Sequence, residues 1–95
     1  MNTPIFPTAK FRLGRIVMSH NAMNCLSDED VLMAIQRHQA GDWGDAPEED
    51  RVANDQALVS GTRIVSVYQT PQGVTFWLIT EADRFATTIL LPEDY

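Results

Sequence analysis

Eight consecutive positions, His38-Gln39-Ala40-Gly41-Asp42-Trp43-Gly44-Asp45, hold a histidine, two aspartates, two glycines and an indole, the densest group of site-grade residue types in the chain. Neutral imidazole and carboxylates are competent ligands for a divalent cation, so His38, Asp42, Asp45 and Glu48 could converge on a metal. Asp45 has a competing use. It stands three residues before Glu48 in the order of a capping box, where its carboxylate would receive helix N–H groups instead of a cation. On that ground the stretch reads first as a link between helices, and no metal or cofactor is expected. Trp43, with Gly41 and Gly44 close on either side, either buries its ring as an anchor for the link or, if exposed, marks an interface.

Metal-free cleavage of RNA would need a base, an acid and a cation facing the phosphorane. The chain offers His38 or Glu81 as base, Tyr68 or Tyr95 as acid, and Arg63 or Arg84 as cation. Each also has a plainer use, because tyrosine suits a strand and arginine pairs with neighbouring carboxylates. Asp83-Arg84 could be a local ion pair at a turn. The favoured alternative has Arg84 reach inward to Asp42 or Asp45 and lock the link against the sheet through a bidentate pair. The candidate binding residues are therefore Asp42, Trp43, Asp45 and Arg84, with His38, Tyr68 and Arg84 as a subordinate catalytic set.

These residues must be positioned by a small set of elements. Alternation over Lys10 to Met18 predicts a first strand, while a helical turn between Ser19 and Leu26 stays open. Ser27 is placed to cap a helix over Asp28 to Ala40, with three carboxylates in its first turn and Val31, Leu32, Ile35 and His38 or Gln39 as its inward stripe. Gly41 ends it. A second helix starts at the Asp45 cap, admits Pro47 in its first turn, turns Val52, Ala53, Gln56, Ala57 and Val59 inward, and ends at Gly61. Arg63 to Thr70 and Val74 to Thr80 flank Pro71-Gln72-Gly73 as a hairpin, and Phe85 to Leu91 is the last strand. The order strand, helix, helix, strand, strand, strand implies an α+β fold: a four-stranded, mainly antiparallel sheet with two helices on one face. Residues 1–9 read as a flexible arm and 10–95 as one domain, with the partner of the first strand left open.

The chain has 95 residues, 44% of them hydrophobic, enough for one core but marginal for stability, so a homodimer is compatible with it. Thirteen acidic residues stand against seven basic ones, a net charge of −6. Affinity for phosphates comes from counterions displaced by Lys and Arg, so this balance argues against direct binding of nucleic acid. It suits contact with a basic protein surface and also serves solubility. A protein partner is expected. The lone Cys25 excludes a disulfide within the chain and a thiolate zinc cluster, fits a reducing cytosol and reads as a buried thiol. Met1 to Lys10 contains Pro4 and Pro7 and no long apolar run. It therefore resembles neither a signal peptide nor a membrane span, and the expected location is the cytoplasm.

Two resemblances add to this reading. Gly41-Asp42-Trp43-Gly44, Glu49-Asp50-Arg51 with Asn54-Asp55 and Ala57-Leu58, Ile79-Thr80-Glu81-Ala82-Asp83-Arg84, and the closing Thr87-Thr88-Ile89-Leu90-Leu91-Pro92-Glu93-Asp94-Tyr95 together resemble a family of short bacterial plasmid-related proteins. The likeness runs from Phe11 onward, and the closing segment is its most specific part. The chain departs from the family in its longer, proline-bearing arm and in Phe85, where a small polar residue is usual. The family implies a bacterial cytosol and an association with mobile DNA, and no settled reaction. The order of elements alone is similar to the RelE and barnase-like toxin ribonucleases, although fold order does not carry function and those toxins are basic. The expectation is a small acidic binding or regulatory protein of a mobile genetic element, acting by protein contact to inhibit a nucleic-acid-handling or host-defence machine. The alternatives are a RelE-like metal-independent ribonuclease and a self-associating module that uses Trp43 or the edge of the last strand.

Overall fold

The structure, a computed structural model, describes residues 9–95, so all but the last residue of the expected arm lies outside the described residues. The elements are β1 (Arg15–Met18), α1 (His20–Cys25), α2 (Asp28–Gln39), α3 (Glu48–Ser60), β2 (Ile64–Gln69), β3 (Thr75–Thr80), β4 (Ala86–Leu90) and a closing 3-10 turn, Pro92–Asp94. The strands form one sheet in the order β1-β4-β3-β2. The pairs β2/β3 and β3/β4 are antiparallel, and β1 lies parallel to β4. This is an α+β fold with a mainly antiparallel sheet. The short α1, which the sequence left open, is a third helix capped by the Ser19 hydroxyl.

Alternation along the strands decides the core. Ile64, Ser66 and Tyr68 of β2, Phe76, Leu78 and Thr80 of β3, and Thr87 and Ile89 of β4 are all buried, every second residue as the pleat requires. α2 lies over this face through Ala34 and His38, and α1 adds Ala22, with Leu26 just beyond it. A second cluster joins Trp43, Ala46, Ala57 and Ile64. Ser27 caps α2 as expected, and Asp30 completes the box by accepting from the Ser27 N–H.

Several expectations are corrected. β1 begins at Arg15 rather than Lys10 because Gly14 is left-handed (φ +65°) and passes so close to β4 that an added Cβ would meet the Phe85 carbonyl oxygen at 2.2 Å. A kink of this kind ends the pairing. The last strand starts after Phe85, whose ring is exposed. Leu32 is 58% exposed, and Ala34 takes the inward place on α2. On α3 the inward residues are Asn54, Ala57 and partly Leu58, while Val52, Ala53, Gln56 and Val59 face out. Cys25 is exposed, not buried.

The phase of α3 has a physical reason at the sheet edge. The outward N–H and C=O of Val65 on β2 are both taken by the Asn54 amide, at 3.0 and 2.7 Å. Two residues on, the Val67 N–H donates to the Trp43 carbonyl at 3.2 Å, and the Asp45 N–H donates to the Val67 carbonyl at 2.7 Å. An open edge is a template for unwanted pairing, and here a side chain and the link close it together. That tie carries the chain past Asp45 before a helix can begin. Asp45 therefore caps nothing: α3 starts at Glu48 after Pro47, with no side-chain cap. Among the described residues no helix is long and apolar enough to cross a membrane.

Candidate functional site

The link between α2 and α3 is held by bonds that use nearly all of its polar side chains. His38, in the last turn of α2, is fully buried. Its Nδ1 meets the Ser66 hydroxyl and its Nε2 lies 2.8 Å from Thr80 Oγ1. Thr80 Oγ1 is 2.7 Å from Thr87 Oγ1, and the Thr87 hydroxyl donates to the Leu13 carbonyl at 2.8 Å. Leu13 O can only accept, and that fixes the protons upstream as far as Nε2, while the ring's neutrality, set by burial, leaves Nδ1 as an acceptor. Thr87 spends its proton on Leu13 and so accepts from Thr80. Thr80 then accepts from Nε2–H, and Nδ1 accepts from Ser66. His38 is thus a neutral Nε2–H imidazole inside a directional chain. Burial, with the Arg84 charge adding to it, pushes its pKa down to about 4.

Around the imidazole, Phe11 and Trp43 pack edge-on at centroid distances of 5.1 and 6.1 Å. Trp43 is 5% exposed and its Nε1–H donates to Asp55 at 2.9 Å. It is an anchor, so the interface option for this residue closes. Asp42 takes the Arg37 guanidinium in two bonds, 2.7 and 3.3 Å, and also accepts from the Gly44 N–H at 3.1 Å. The Arg37 contact holds the Asp42 carboxyl below its usual range. Gly44 (φ +65°) lies against the sheet so tightly that a Cβ would meet the Val67 carbonyl oxygen at 2.0 Å. Beneath the link, the buried Tyr68 donates its hydroxyl to the Asp42 carbonyl at 2.7 Å, and burial pushes its pKa up.

Arg84 does form a latch, but not on Asp42 or Asp45. Its guanidinium donates to the carbonyls of Thr62 (2.7 Å), Glu81 (3.1 Å) and Ala57 (3.0 Å). A cation near the C-terminus of a helix meets the negative end of the dipole; Ala57 O, which also accepts from the Gly61 N–H, takes the guanidinium as a second donor, so Arg84 closes α3 onto the β3–β4 turn. Its own backbone is left-handed, φ 62°. Asp83 does not pair with it, and instead accepts from the Phe85 N–H at 2.9 Å.

The residues considered for RNA cleavage are distributed through the fold. His38 and Tyr68 are inside it, Arg84 is held by three carbonyls, and Glu81 is exposed. Tyr95 packs edge-on against Trp77 at 5.5 Å on the other face of the sheet, with Arg63 over its ring at 5.4 Å. The exposed Asp45 and Glu48 do not join His38 and Asp42, and among the described residues no three metal-ligating side chains converge. The partners that sequence reasoning missed are Ser66, Thr80, Thr87, Arg37, Asn54 and Asp55. A signal was present for the first three, since each is a hydroxyl at an inward position of an alternating strand. No family model, no curated protein and no solved structure matches the chain.

Proposed function

We propose that this chain is a small acidic binding protein of a mobile genetic element, acting in the cytosol by protein contact to inhibit or modulate a machine that handles nucleic acid. The association with mobile DNA rests on the resemblance of the GDWG, ITEADR and TTILLPEDY segments. The net charge of −6 supports a basic protein surface as the partner's chemistry. One observation carries the reading. The reactive side chains of the link are spent on holding the fold, whereas apolar side chains of α1 and α2 are left facing out.

Met18, Met23, Leu26, Val31, Leu32 and Ile35 line a groove of about 260 Å³ beside β1, where Met23 is 63% and Leu32 58% exposed. Clustered exposed apolar residues mark interaction surfaces more often than chance, and methionine adapts its shape to a partner. The test is capture of a defined partner by the tagged chain from a bacterial host at moderate salt, compared with Met23→Asp/Leu32→Asp. The expected result is one stoichiometric protein retained by the native chain and lost by the variant at an unchanged melting temperature. Recovery of nothing beyond the tag control, or RNA degradation by the purified chain, overturns the reading.

A further inference from the structure

The two edges of the sheet are treated differently. β2 is closed by Asn54 and by the link. Among the described residues nothing pairs with the outer edge of β1, which reads Arg-Ile-Val-Met, without proline or bulge and with Arg15 as its one charge. The N–H groups of Arg15 and Ser19 donate to the β4 side, to Phe85 and Ile89. By alternation the N–H and C=O of Ile16 and Met18 therefore point away from the sheet. Ile16 is 40% and Val17 36% exposed, and Ile16 and Met18 lie on the helix-covered face beside the apolar groove.

We infer that a second copy of this chain occupies that edge, β1 pairing antiparallel with β1 across a two-fold axis to give a continuous eight-stranded sheet. This rests on the contact reading above and names one of its partners. The register follows from the strand itself. Only Ile16 and Met18 have outward backbone groups, and the register that uses all of them sets Ile16 against the partner's Met18, and Met18 against the partner's Ile16, about Val17 on the axis. The same register sets Arg15 against the partner's Ser19 on the opposite face. Ser19 donates its hydroxyl to Asp94 at 2.6 Å, and Asn21 donates to the other oxygen of that carboxylate at 2.7 Å. Among the described residues neither Arg15 nor Asp94 has an ion-pair partner. The two-fold brings Arg15 of each copy to Asp94 of the other, so charge complementarity selects the same register as the hydrogen bonds. A strand pair this short is small for a stable interface. Ile16 and Met18 of both copies, set against each other on the helix-covered face, add apolar contact and leave the Met23 and Leu32 groove open.

The test uses the full chain. Sedimentation velocity is expected to show a concentration-dependent dimer. Ile16→Pro removes an N–H that the monomer does not use and is tolerated at an outward edge position. It is expected to give a monomer with a cooperative melting transition, and Arg15→Glu to weaken association at least about tenfold. In a Cys25→Ser background, Val17→Cys sits across the axis at a non-hydrogen-bonded pair and is expected to oxidise to a disulfide dimer, whereas Ile16→Cys is not. A native chain that stays monomeric at every concentration, or a dimer that is unaffected by Ile16→Pro and not cross-linked by Val17→Cys, overturns the proposal. A monomer that still captures a host protein through the groove overturns the dimer alone. A dimer that captures nothing leaves the dimer standing and removes the wider contact reading.

Discussion

Nε2 of His38 on α2 and Oγ1 of Thr80 on β3 lie 2.8 Å apart in the middle of the core, and this one bond joins the helix to the sheet and sets the tautomer of the ring. Its neighbours on either side, Ser66 and Thr87, are themselves fully buried. A buried polar group is tolerated when each of its bonds is made. Here the run ends on the Leu13 carbonyl, just before the chain enters β1, so the network connects α2, β2, β3, β4 and the approach to β1.

A buried neutral imidazole makes stability depend on pH. The pKa of His38 is about 4 in the folded chain against 6.5 for an ordinary histidine. Above about pH 6.5 neither state binds the proton and His38 contributes no pH dependence. As pH falls from there toward 4 the unfolded chain takes up a proton that the folded one refuses, so stability falls, and it levels off below 4. The loss across that window is on the order of 3 kcal/mol, a large part of a small domain's total. Denaturant titrations at pH 7 and pH 4.5 should show it, and in His38→Gln most of the slope within this window should be lost, leaving the onset of carboxylate protonation, Asp42 among them, at its acid end.

Asn54 satisfies two backbone groups with one side chain. Asn54→Ala leaves the Val65 N–H and C=O without partners at a largely covered edge and should cost about 2 kcal/mol or more. Asn54→Asp keeps the acceptor and loses the donor, so it should fall between. Urea midpoints of the three proteins check the order. Equal midpoints for the native chain and the alanine variant would show that water replaces the amide without loss.

Arg84 draws three carbonyls from α3, the loop after it and the β3–β4 turn onto one guanidinium. Arg84→Ala should lower stability by about 2 kcal/mol, discounted for solvent at a partly exposed group. In a domain of this size that is on the order of 10 °C in melting temperature. Arg84→Lys should recover little, since an ammonium lacks the fork that spans three acceptors. Calorimetry of both variants decides it; full recovery by lysine would mean that charge at the helix end, not the fork, carries the effect.

The elements were legible where local chemistry acts alone. The Ser27 cap, the Pro71-Gln72-Gly73 turn and the alternation of β2 to β4 each have a local cause, and each appears in the structure. What could not be read depends on the sheet edge. The stripe chosen for α3 by hydropathy put Val52 and Val59 inward, but the need of Val65 for partners turns Asn54 in and leaves Val59 92% exposed. The same tie, through Val67, takes Asp45 away from its capping role. The site was legible as a cluster and not as a geometry. His38, Asp42 and Trp43 do meet at one joint, but the partners that absorb them, Thr80, Arg37 and Asp55, lie on other elements or, like Arg37, on an earlier turn. The pair expected between Arg84 and Asp42 or Asp45 is absent among the described residues, and the acceptors Arg84 takes are main-chain carbonyls, which no side-chain pattern announces.

The central claim is that His38 is a fixed strut of the fold and not a working acid or base. Nitrogen-15 NMR of the imidazole tests it most directly. The account requires a neutral ring with the proton on Nε2, unchanged from pH 8 down to about pH 5, given a pKa of about 4. A ring that titrates near 6.5, the ordinary histidine value, or that carries its proton on Nδ1, would contradict it.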